Sequence, residues 1–472
     1  MLAPMPPLPD TADRTQDHAA LAPLVADLMD RARTDLAALV AHPSVHGAPG
    51  REQACADAAQ WVVDAFTEAG VPCSSICTVD GSHAVIGHHP GPEGSPTVLL
   101  YAHHDVQPAD DADWASPPFT LTDRDGRWYG RGASDCKGNV VAHLTALRAL
   151  TALDGDGLPC GVRVVVEGSE EAGGEGLDRL ARDQPSLFDA DVILICDTGN
   201  VAAGTPTLTT SLRGVVNVKV TVETLESRVH SGQFGGAAPD ALAALIAGLA
   251  SLRDAEGDTT IDGLPATATF DGAPYDPETF RSDATVLDGV DVIGSGAPAD
   301  MVWARPAVTV IGLDAPATAG AASAIAPRAA AMLNLRVPPG VDPIVARDAL
   351  ADHLRAHIPW NARVTVEPEA VGAPFAADTT GPGYRALTAA MEQAYGAPVV
   401  RSGQGGSIPL CTVLSEISPD AEIALLGVEE PRCRIHAADE SVDPDEIART
   451  ALSEALFLRG MAGGMATGTA RP

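Results

Sequence analysis

Hydrophobic residues run without interruption over 98–102, and the run ends on His103, His104 and Asp105. A short β-branched and aliphatic run bounded by prolines predicts a strand in a sheet that is covered on both faces. Side chains alternate along a strand, so we expect His103 and Asp105 on one face at its carboxyl end, where such sheets bind ligands. A His-x-Asp pair alone is more often a strand end that meets solvent.

Strands and helices alternate around this run. Helical spacing predicts helices over 21–40, 53–69 and 139–153, and aliphatic runs predict strands over 162–168 and 191–196. This order is typical of an α/β domain with a mostly parallel central sheet.

Past residue 197 the pattern changes to half-exposed strands. Strands are predicted over 215–223, 307–313, 328–337 and 362–367, and helices over 238–252 and 343–356. This β-α-β-β-α-β order is the ferredoxin-like arrangement, and it contains a loop-rich segment at 255–305. We therefore predict an α/β domain of residues 1–212 and 373–472, interrupted by an inserted α+β domain of residues 213–372.

Charge and composition exclude some partners. The 63 acidic residues against 30 basic ones give a net charge of -33, which disfavours nucleic acid and anionic membranes. The chain has no apolar run of the roughly 18 residues that a membrane span needs. The first ten residues lack a cationic segment, so we expect no signal peptide and a cytoplasmic location. The eight cysteines include no C-x-x-C pair, which favours free thiols.

Further polar residues follow the other predicted strands of the α/β domain. They are Asp135, Glu170, Glu171, Asp197 and, late in the chain, His436. Each alone is an ordinary residue at a strand end, but together they place several carboxylates and two imidazoles at one edge of the sheet. Buried carboxylates at this density repel one another unless cations neutralise them. Mixed histidine and carboxylate ligands suit zinc, and also manganese or cobalt.

Six motifs occur in the order known from one enzyme family: HHD, GASDCKG, EGSEEAGGEG, RVHSGQFGG, GGSIP and RIHAADE. Over residues 20–460 the chain resembles the dinuclear-metal peptidases that include carnosinase-type dipeptidases, acetylornithine deacetylase and succinyl-diaminopimelate desuccinylase. The resemblance implies a zinc-exopeptidase-like catalytic α/β domain with an inserted lid and dimerisation domain. It also implies two divalent metal ions per subunit, zinc foremost, and a homodimer built through the lid.

The resemblance assigns roles to the residues in these motifs. His103 and Asp197 would hold one metal ion, Glu171 and His436 the other, and Asp135 would bridge both. Asp105 would orient His103, and Glu170 would be the general base that activates a metal-bridging water. The peptide bond between Asp135 and Cys136 would be cis.

Three residues outside this cluster are assigned to substrate binding. His230 would stabilise the oxyanion in the partner subunit's site, although a histidine in a Gly-rich turn is often only structural. Arg328 and Ser407 would bind the C-terminal carboxylate of the substrate, although an isolated arginine is often a surface charge and a Gly-rich turn often only a turn.

Two positions depart from the carnosinase pattern. Cys136 follows the bridging aspartate where an acidic residue is usual, and we expect its side chain to point away from the metals. Gly381 stands where a histidine is frequent, which argues against carnosine as the substrate.

The residues present disfavour two other classes of function. Ser134 and Lys137 fit the S-x-x-K pattern of serine acyl enzymes, but its S-D-N and K-T-G partners do not occur. A homologue that only binds metal would not need Glu170. The sequence therefore predicts a metal-dependent dipeptidase acting on short peptides with a free carboxylate, with an N-acyl-amino-acid amidohydrolase as the alternative.

Overall fold

The computed structural model describes residues 11–155, 157–406 and 408–462, with side chains from residue 15 onward. In these residues the α-helices are α1 (Thr11–Val40), α2 (Glu52–Glu68), α3 (Lys137–Asp154), α4 (Glu175–Asp183), α5 (Ser231–Phe234), α6 (Ala241–Ala250), α7 (Pro277–Asp283), α8 (Pro343–His357), α9 (Pro382–Tyr395), α10 (Pro409–Ile417) and α11 (Pro444–Ala462). The strands are β1 (Cys73–Cys77), β2 (His83–His89), β3 (Thr97–His103), β4 (Thr122–Arg124), β5 (Arg127–Tyr129), β6 (Gly161–Glu167), β7 (Val192–Cys196), β8 (Thr207–Leu212), β9 (Gly214–Glu223), β10 (Val229–His230), β11 (Ala307–Asp314), β12 (Ala324–Ile325), β13 (Arg328–Val337), β14 (Arg363–Gly372), β15 (Phe375–Ala376), β16 (Val400–Gln404), β17 (Glu422–Leu426) and β18 (Ser441–Val442).

The chain forms two compact units. Ser211–Ala376 together with Gly403–Ile408 forms the second unit, and the rest of the chain forms the first. The boundaries that we predicted at 213 and 372, and the lid and dimerisation role of the insertion, stay predictions.

The central sheet of the first unit has a parallel core. Its strands lie in the order β1-β2-β6-β3-β7-β17-β8, and β6, β3, β7 and β17 run parallel to one another. β3 is buried along its length, as the continuous hydrophobic run predicts for a strand covered on both faces. The carboxyl ends of these parallel strands therefore meet at one edge, which positions the site described below.

Helices cover this sheet. α1, α3, α9 and α11 pack on one another and share a core with Val98, Leu100 and Ala102 of β3. α1 begins at Thr11, ten residues before the predicted start, and contains Pro23. Within the described residues no helix is long and apolar enough to cross a membrane. All eight cysteines are free, as predicted.

The second unit contains an antiparallel sheet with the order β11-β13-β9-β14. β9 alternates buried and half-buried residues, and its valines pack with α6 and α8. This strand order, with helices α6 and α8 on one face, is the ferredoxin-like arrangement that the periodicity predicted.

The segment predicted as loop-rich has more structure than expected. It contains α7 and a π-helical turn, Asp300–Ala304. Trp303 in that turn stacks on Tyr275 with ring centroids 5.5 Å apart and meets Phe270 edge-on at 4.9 Å. These aromatic contacts join residues far apart in sequence, so no periodic pattern in the sequence predicts them.

Candidate metal centre and active site

Three parallel strands deliver polar residues to one edge of the first unit's sheet. β3 ends at His103, which pairs in register with Glu167 at the end of β6. The chain after β6 continues to Glu170 and Glu171, and β7 ends one residue before Asp197. The register and the direction of these strands thus bring the side chains together at one edge of the sheet, as expected for a parallel α/β sheet.

The first cluster is centred on His103, which is fully buried. Its Nε2 lies 2.9 Å from Asp135 Oδ1 and 3.2 Å from Asp197 Oδ1. On the other side of the ring, Nδ1 lies 3.1 Å from the Asp105 carbonyl oxygen and 3.4 Å from Asp105 Oδ1. An Nδ1–H that donates to Asp105 leaves the Nε2 lone pair directed at the two other carboxylates.

The second cluster is centred on His436, which is exposed and has a φ of 62°. Its Nε2 lies 3.1 Å from Asp135 Oδ2 and 3.0 Å from Glu171 Oε2. Asp135 therefore offers one oxygen to each imidazole. The five residues that the resemblance assigned as metal ligands lie together, with Asp135 between the two clusters.

The donor set fits divalent cations. Each Nε2 faces two carboxylate oxygens at 2.9–3.2 Å, and a single N–H can point directly at only one of the two oxygens. A cation bound by the nitrogen and the oxygens together removes the repulsion between them. Histidine and carboxylate ligands in two groups that share one carboxylate fit a pair of divalent ions.

The shifted pKa values of these side chains reflect the high density of negative charge at the site. Burial, reinforced by the charge of Asp197, raises the pKa of Glu170 to about 8. Hydrogen bonds that His436 donates to Asp135 and Glu171 raise its pKa to about 10, and burial raises the pKa of Asp197 to about 6. Burial also opposes ionisation of Asp135, but its hydrogen bonds with both histidines lower its pKa overall. The site therefore favours added positive charge.

Asp105 has a second contact besides His103. Its Oδ1 accepts the backbone N–H of Glu170 at 3.1 Å, and its Oδ2 accepts that of Glu171 at 3.0 Å. The adjacent glutamates are thus fixed by the residue that orients His103. Glu170 is in a turn of 3-10 helix, so its side chain and that of Glu171 point in different directions from the backbone that Asp105 holds.

Three positioning residues were missed by the sequence analysis. Gln107 donates its Nε2–H to Glu171 Oε2 at 2.9 Å. Asp80 accepts Ser169 Oγ and the Gly176 N–H, and so holds both ends of the loop that carries Glu170. Glu440 accepts the N–H groups of Ser134 and Asp135, each at 3.0 Å. Glu440 lies four residues after His436 in the same motif, which is the one signal that could have suggested it.

The Cys136 side chain does not point away as predicted. Its Sγ belongs to a cluster with His103 and Asp197 whose ligand atoms lie within 4.8 Å of one another. The thiol donates to the Cys196 carbonyl oxygen at 2.9 Å, and burial raises its pKa well above the ordinary value. A protonated thiol is a poor metal ligand. The peptide bond between Asp135 and Cys136 is cis, as the resemblance implied.

The other assigned residues belong to the second unit. His230 ends β10 and pairs with Ala324 of β12; its Nδ1 accepts the Gly232 N–H at 3.1 Å, which leaves Nε2–H as a donor. Arg328 is exposed at the start of β13. Ser407 lies outside the described residues.

Comparison with known proteins gives this geometry its context. Residues 99–459 match the model of the peptidase family M20/M25/M40. The chain is 47% identical to the cysteinylglycine-S-conjugate dipeptidase of Corynebacterium striatum over 434 residues, which cover 91% of this chain and 95% of that protein.

Solved structures show the same fold. A dipeptidase of Saccharomyces cerevisiae superposes with a TM-score of 0.76 at 21% identity, covering 95% of this chain and 99% of the other. Human carnosine dipeptidase 1 superposes with a TM-score of 0.75 at 24% identity, covering 97% and 100%. These similarities confirm the predicted α/β fold class.

Proposed function

The chain belongs to the peptidase family M20/M25/M40, and on this premise we propose how its residues carry out peptide hydrolysis. It is a metal-dependent dipeptidase, a hydrolase that acts on small peptides. The observation that carries the mechanism is the position of Asp135, whose two carboxylate oxygens face His103 and His436 at 2.9 and 3.1 Å.

Two divalent ions per subunit fit this arrangement, zinc foremost, with manganese or cobalt as alternatives because the same ligands accept all three. His103 and Asp197 would hold one ion, Glu171 and His436 the other, and Asp135 would contact both. When bound, such ions polarise the substrate carbonyl and lower the pKa of water.

Glu170 is the general base. It is half-buried beside the ligands, and Asp105 fixes its backbone. Its carboxylate takes a proton from the water whose oxygen attacks the peptide carbonyl carbon. As the C–N bond breaks, Glu170 returns that proton to the leaving amine, so the products are a carboxylic acid and an amine.

Residues of the second unit bind the substrate. His230 donates its Nε2–H to the carbonyl oxygen as negative charge develops there. Arg328, exposed at the start of β13, pairs with the C-terminal carboxylate of the peptide, and Ser407 contributes donors to the same group.

Dipeptides with an N-terminal cysteine, including S-substituted cysteine, followed by glycine are the substrates to test first. The relative at 47% identity is named for cysteinylglycine S-conjugates, and a free carboxylate suits Arg328.

The quaternary structure and location are part of the same proposal. We infer a homodimer formed through the second unit, with His230 acting in the partner's site. We infer a cytoplasmic location, which eight free cysteines support.

The mechanism is tested by replacing the base alone. We expect Glu170→Gln to retain two metal ions per subunit and to lower kcat by about 10²–10⁴-fold. The control is Glu175→Gln, an exposed glutamate at the start of α4, which should keep full activity. Full activity in Glu170→Gln, or loss of metal together with activity, contradicts the assigned role.

The substrate class is tested by comparing kcat/KM for Cys-Gly, its S-substituted derivatives and N-acetyl amino acids on protein loaded with zinc, manganese or cobalt. Faster cleavage of the dipeptides supports the proposal. Faster cleavage of N-acetyl amino acids would favour an amidohydrolase.

A further inference from the structure

A buried asparagine and a buried glutamate meet close to the candidate metal centre of the first unit. Asn139 lies in the first turn of α3, four residues after Asp135, and Glu429 lies three residues after the end of β17. The Asn139 Nδ2–H donates to Glu429 Oε1 at 2.5 Å. Asn139 is fully buried and Glu429 is 7% exposed. This bond therefore joins two segments that lie 290 residues apart in the chain, away from water.

The Val428 N–H fixes the orientation of the Asn139 amide. It donates to Asn139 Oδ1 at 2.9 Å, and a donor of this kind must face the oxygen of the amide rather than its NH₂ group. The NH₂ group therefore points at Glu429. Two hydrogen bonds, one to the backbone and one to a side chain, thus define the position of α3 relative to the segment after β17.

The same segment holds the chain around Asp197. The Leu426 carbonyl oxygen accepts the Asp197 N–H at 3.1 Å. Further along, the Glu429 carbonyl oxygen accepts the Asn200 N–H at 2.8 Å. The two segments run side by side, with a parallel bridge between Gly199 and Glu429. A displacement of Glu429 would therefore move the backbone that follows Asp197.

The other end of the pair is tied to the loop that carries Asp135. Cys136 follows Asp135 directly, and its carbonyl oxygen accepts the Asn139 N–H at 3.0 Å. Asn139 Nδ2 also lies 3.4 Å from Cys136 Sγ. The bond between Asn139 and Glu429 thus links the chain next to Asp135 with the chain next to Asp197.

Close packing leaves the pair little freedom. A Cβ atom on Gly427 would lie 2.2 Å from both Glu429 Oε2 and the Thr198 carbonyl oxygen, so these two oxygens border the same small space. A Cβ atom on Gly138 would lie 3.0 Å from a methyl group of Val428. The start of α3 therefore packs closely on the segment after β17, with room for hydrogen bonds but not for further side chains.

The Glu429 carboxyl group is protonated. Its Oε2 has no hydrogen-bond partner among the described residues, and burial together with the charges of Asp197 and Asp135 raises its pKa well above the ordinary value. An ionised carboxylate here would repel these two proposed metal ligands. A neutral acid keeps the hydrogen bond to Asn139 without this repulsion, and it can donate its O–H to the carbonyl oxygen that borders the same space.

We propose that Asn139 and Glu429 are positioning residues of the metal centre. The proposal rests on the proposed function, because it concerns how the ligands Asp135 and Asp197 are held at the separation that metal binding requires. Neither Asn139 nor Glu429 is itself a ligand. Their hydrogen bond fixes the start of α3 against the chain that follows β7, so the ligands are in place before an ion binds.

Cobalt provides the test, because the visible spectrum of bound Co²⁺ reports the geometry of its ligands. Wild-type protein should bind two ions. Asn139→Ala and Glu429→Leu should bind them about 10–100-fold more weakly, and with a changed spectrum at saturating cobalt. Glu429→Gln should match the wild type, because the amide has the shape of the neutral acid and keeps the bond to Asn139. The double variant should bind no more weakly than either single variant, since both lose the same bond.

Thr145→Val is the matched control. Thr145 is buried on the same helix, and its hydroxyl donates within the helix to the Val141 carbonyl oxygen at 2.8 Å. This variant should keep the cobalt affinity and spectrum of the wild type whatever its melting temperature, which separates a loss of stability from a loss of ligand geometry.

Two results would refute the positioning role. One is a folded Asn139→Ala or Glu429→Leu variant with wild-type cobalt affinity and spectrum. The other is a Glu429→Gln variant that behaves like Glu429→Leu. The cobalt comparison needs no substrate, so wild-type protein that binds cobalt and cleaves no dipeptide would contradict the proposed function alone.

Discussion

The Asp105 carboxylate accepts the backbone N–H of Glu170 at 3.1 Å, which couples the end of the strand that carries His103, a proposed metal ligand, to the residue proposed as general base. The same carboxylate accepts the Glu171 N–H and lies beside His103. One buried side chain thus fixes a residue of each histidine–carboxylate cluster and the base. Its replacement should therefore affect both metal binding and proton transfer.

Asp105→Asn tests this coupling. The amide keeps the shape of the side chain but directs an NH₂ group at one of the two backbone N–H donors, and it removes the charge beside His103. We expect metal affinity to fall about 10–100-fold, and kcat to remain reduced when metal is saturating. Both quantities can be measured by metal titration followed by assay.

Asp113→Asn is the control for this prediction, because Asp113 is exposed on the loop after β3. A variant Asp105→Asn with wild-type metal affinity and wild-type kcat would show that the carboxylate charge has no positioning role.

Glu440→Gln should destabilise the loop that carries Asp135. Glu440 is fully buried, pairs with Arg131 at 2.8 Å and accepts the N–H groups of Ser134 and Asp135. An amide leaves the buried guanidinium without its counter-charge, so we expect a loss of about 3–5 kcal/mol in the free energy of unfolding. Urea denaturation of metal-free protein measures it.

Glu416→Gln breaks the exposed pair with Arg182 and should lose no more than about 1 kcal/mol. If the two variants lose similar amounts, the Glu440 network does not support the loop in the way described.

Stability should depend on pH through His143 and Glu454, which lie 2.8 Å apart in the core of the first unit. Burial lowers the pKa of His143, but the charge and hydrogen bond of Glu454 outweigh it and raise the pKa overall. The unfolded pKa is about 6.5. A raised folded pKa gives stabilisation that is complete below the unfolded value and is lost as pH rises through the folded one.

The difference in unfolding free energy between wild type and Glu454→Gln should therefore be largest below about pH 6.5 and shrink as the pH rises above it. The same substitution in a His143→Gln background should have an effect that does not vary with pH, since the titrating partner is gone. A difference that grows with pH in the wild-type background has the wrong sign for this pair.

Mixing two inactive variants tests whether His230 acts in the partner's site. Random exchange of Glu170→Gln and His230→Ala subunits makes half of the dimers mixed, each with one complete site. We expect about a quarter of wild-type activity to return. Mixing Glu170→Gln with Glu171→Gln should restore none, because both residues belong to the same unit of one chain. If the first mixture forms dimers and stays inactive, His230 does not act in trans.

The sequence by itself determined the fold class and most of the helices and strands, and it predicted the chemistry of the site. The continuous hydrophobic run of β3 indicates a strand buried on both faces, and the alternation of β9 indicates a strand buried on one face. Such patterns are local in sequence because each buried face requires apolar residues at regular positions. The ordered motifs predicted a shared site for His103, Asp135, Glu171, Asp197 and His436, and the structure brings these side chains together.

Only the tertiary structure decided which side chains support them. Glu440 contacts the backbone at Asp135, which is about 300 residues away in the chain. No local pattern records such contacts, because a hydrogen bond or an ion pair depends on the position of two side chains in space. The direction of Cys136 was decided in the same way, by the Cys196 carbonyl that accepts its thiol.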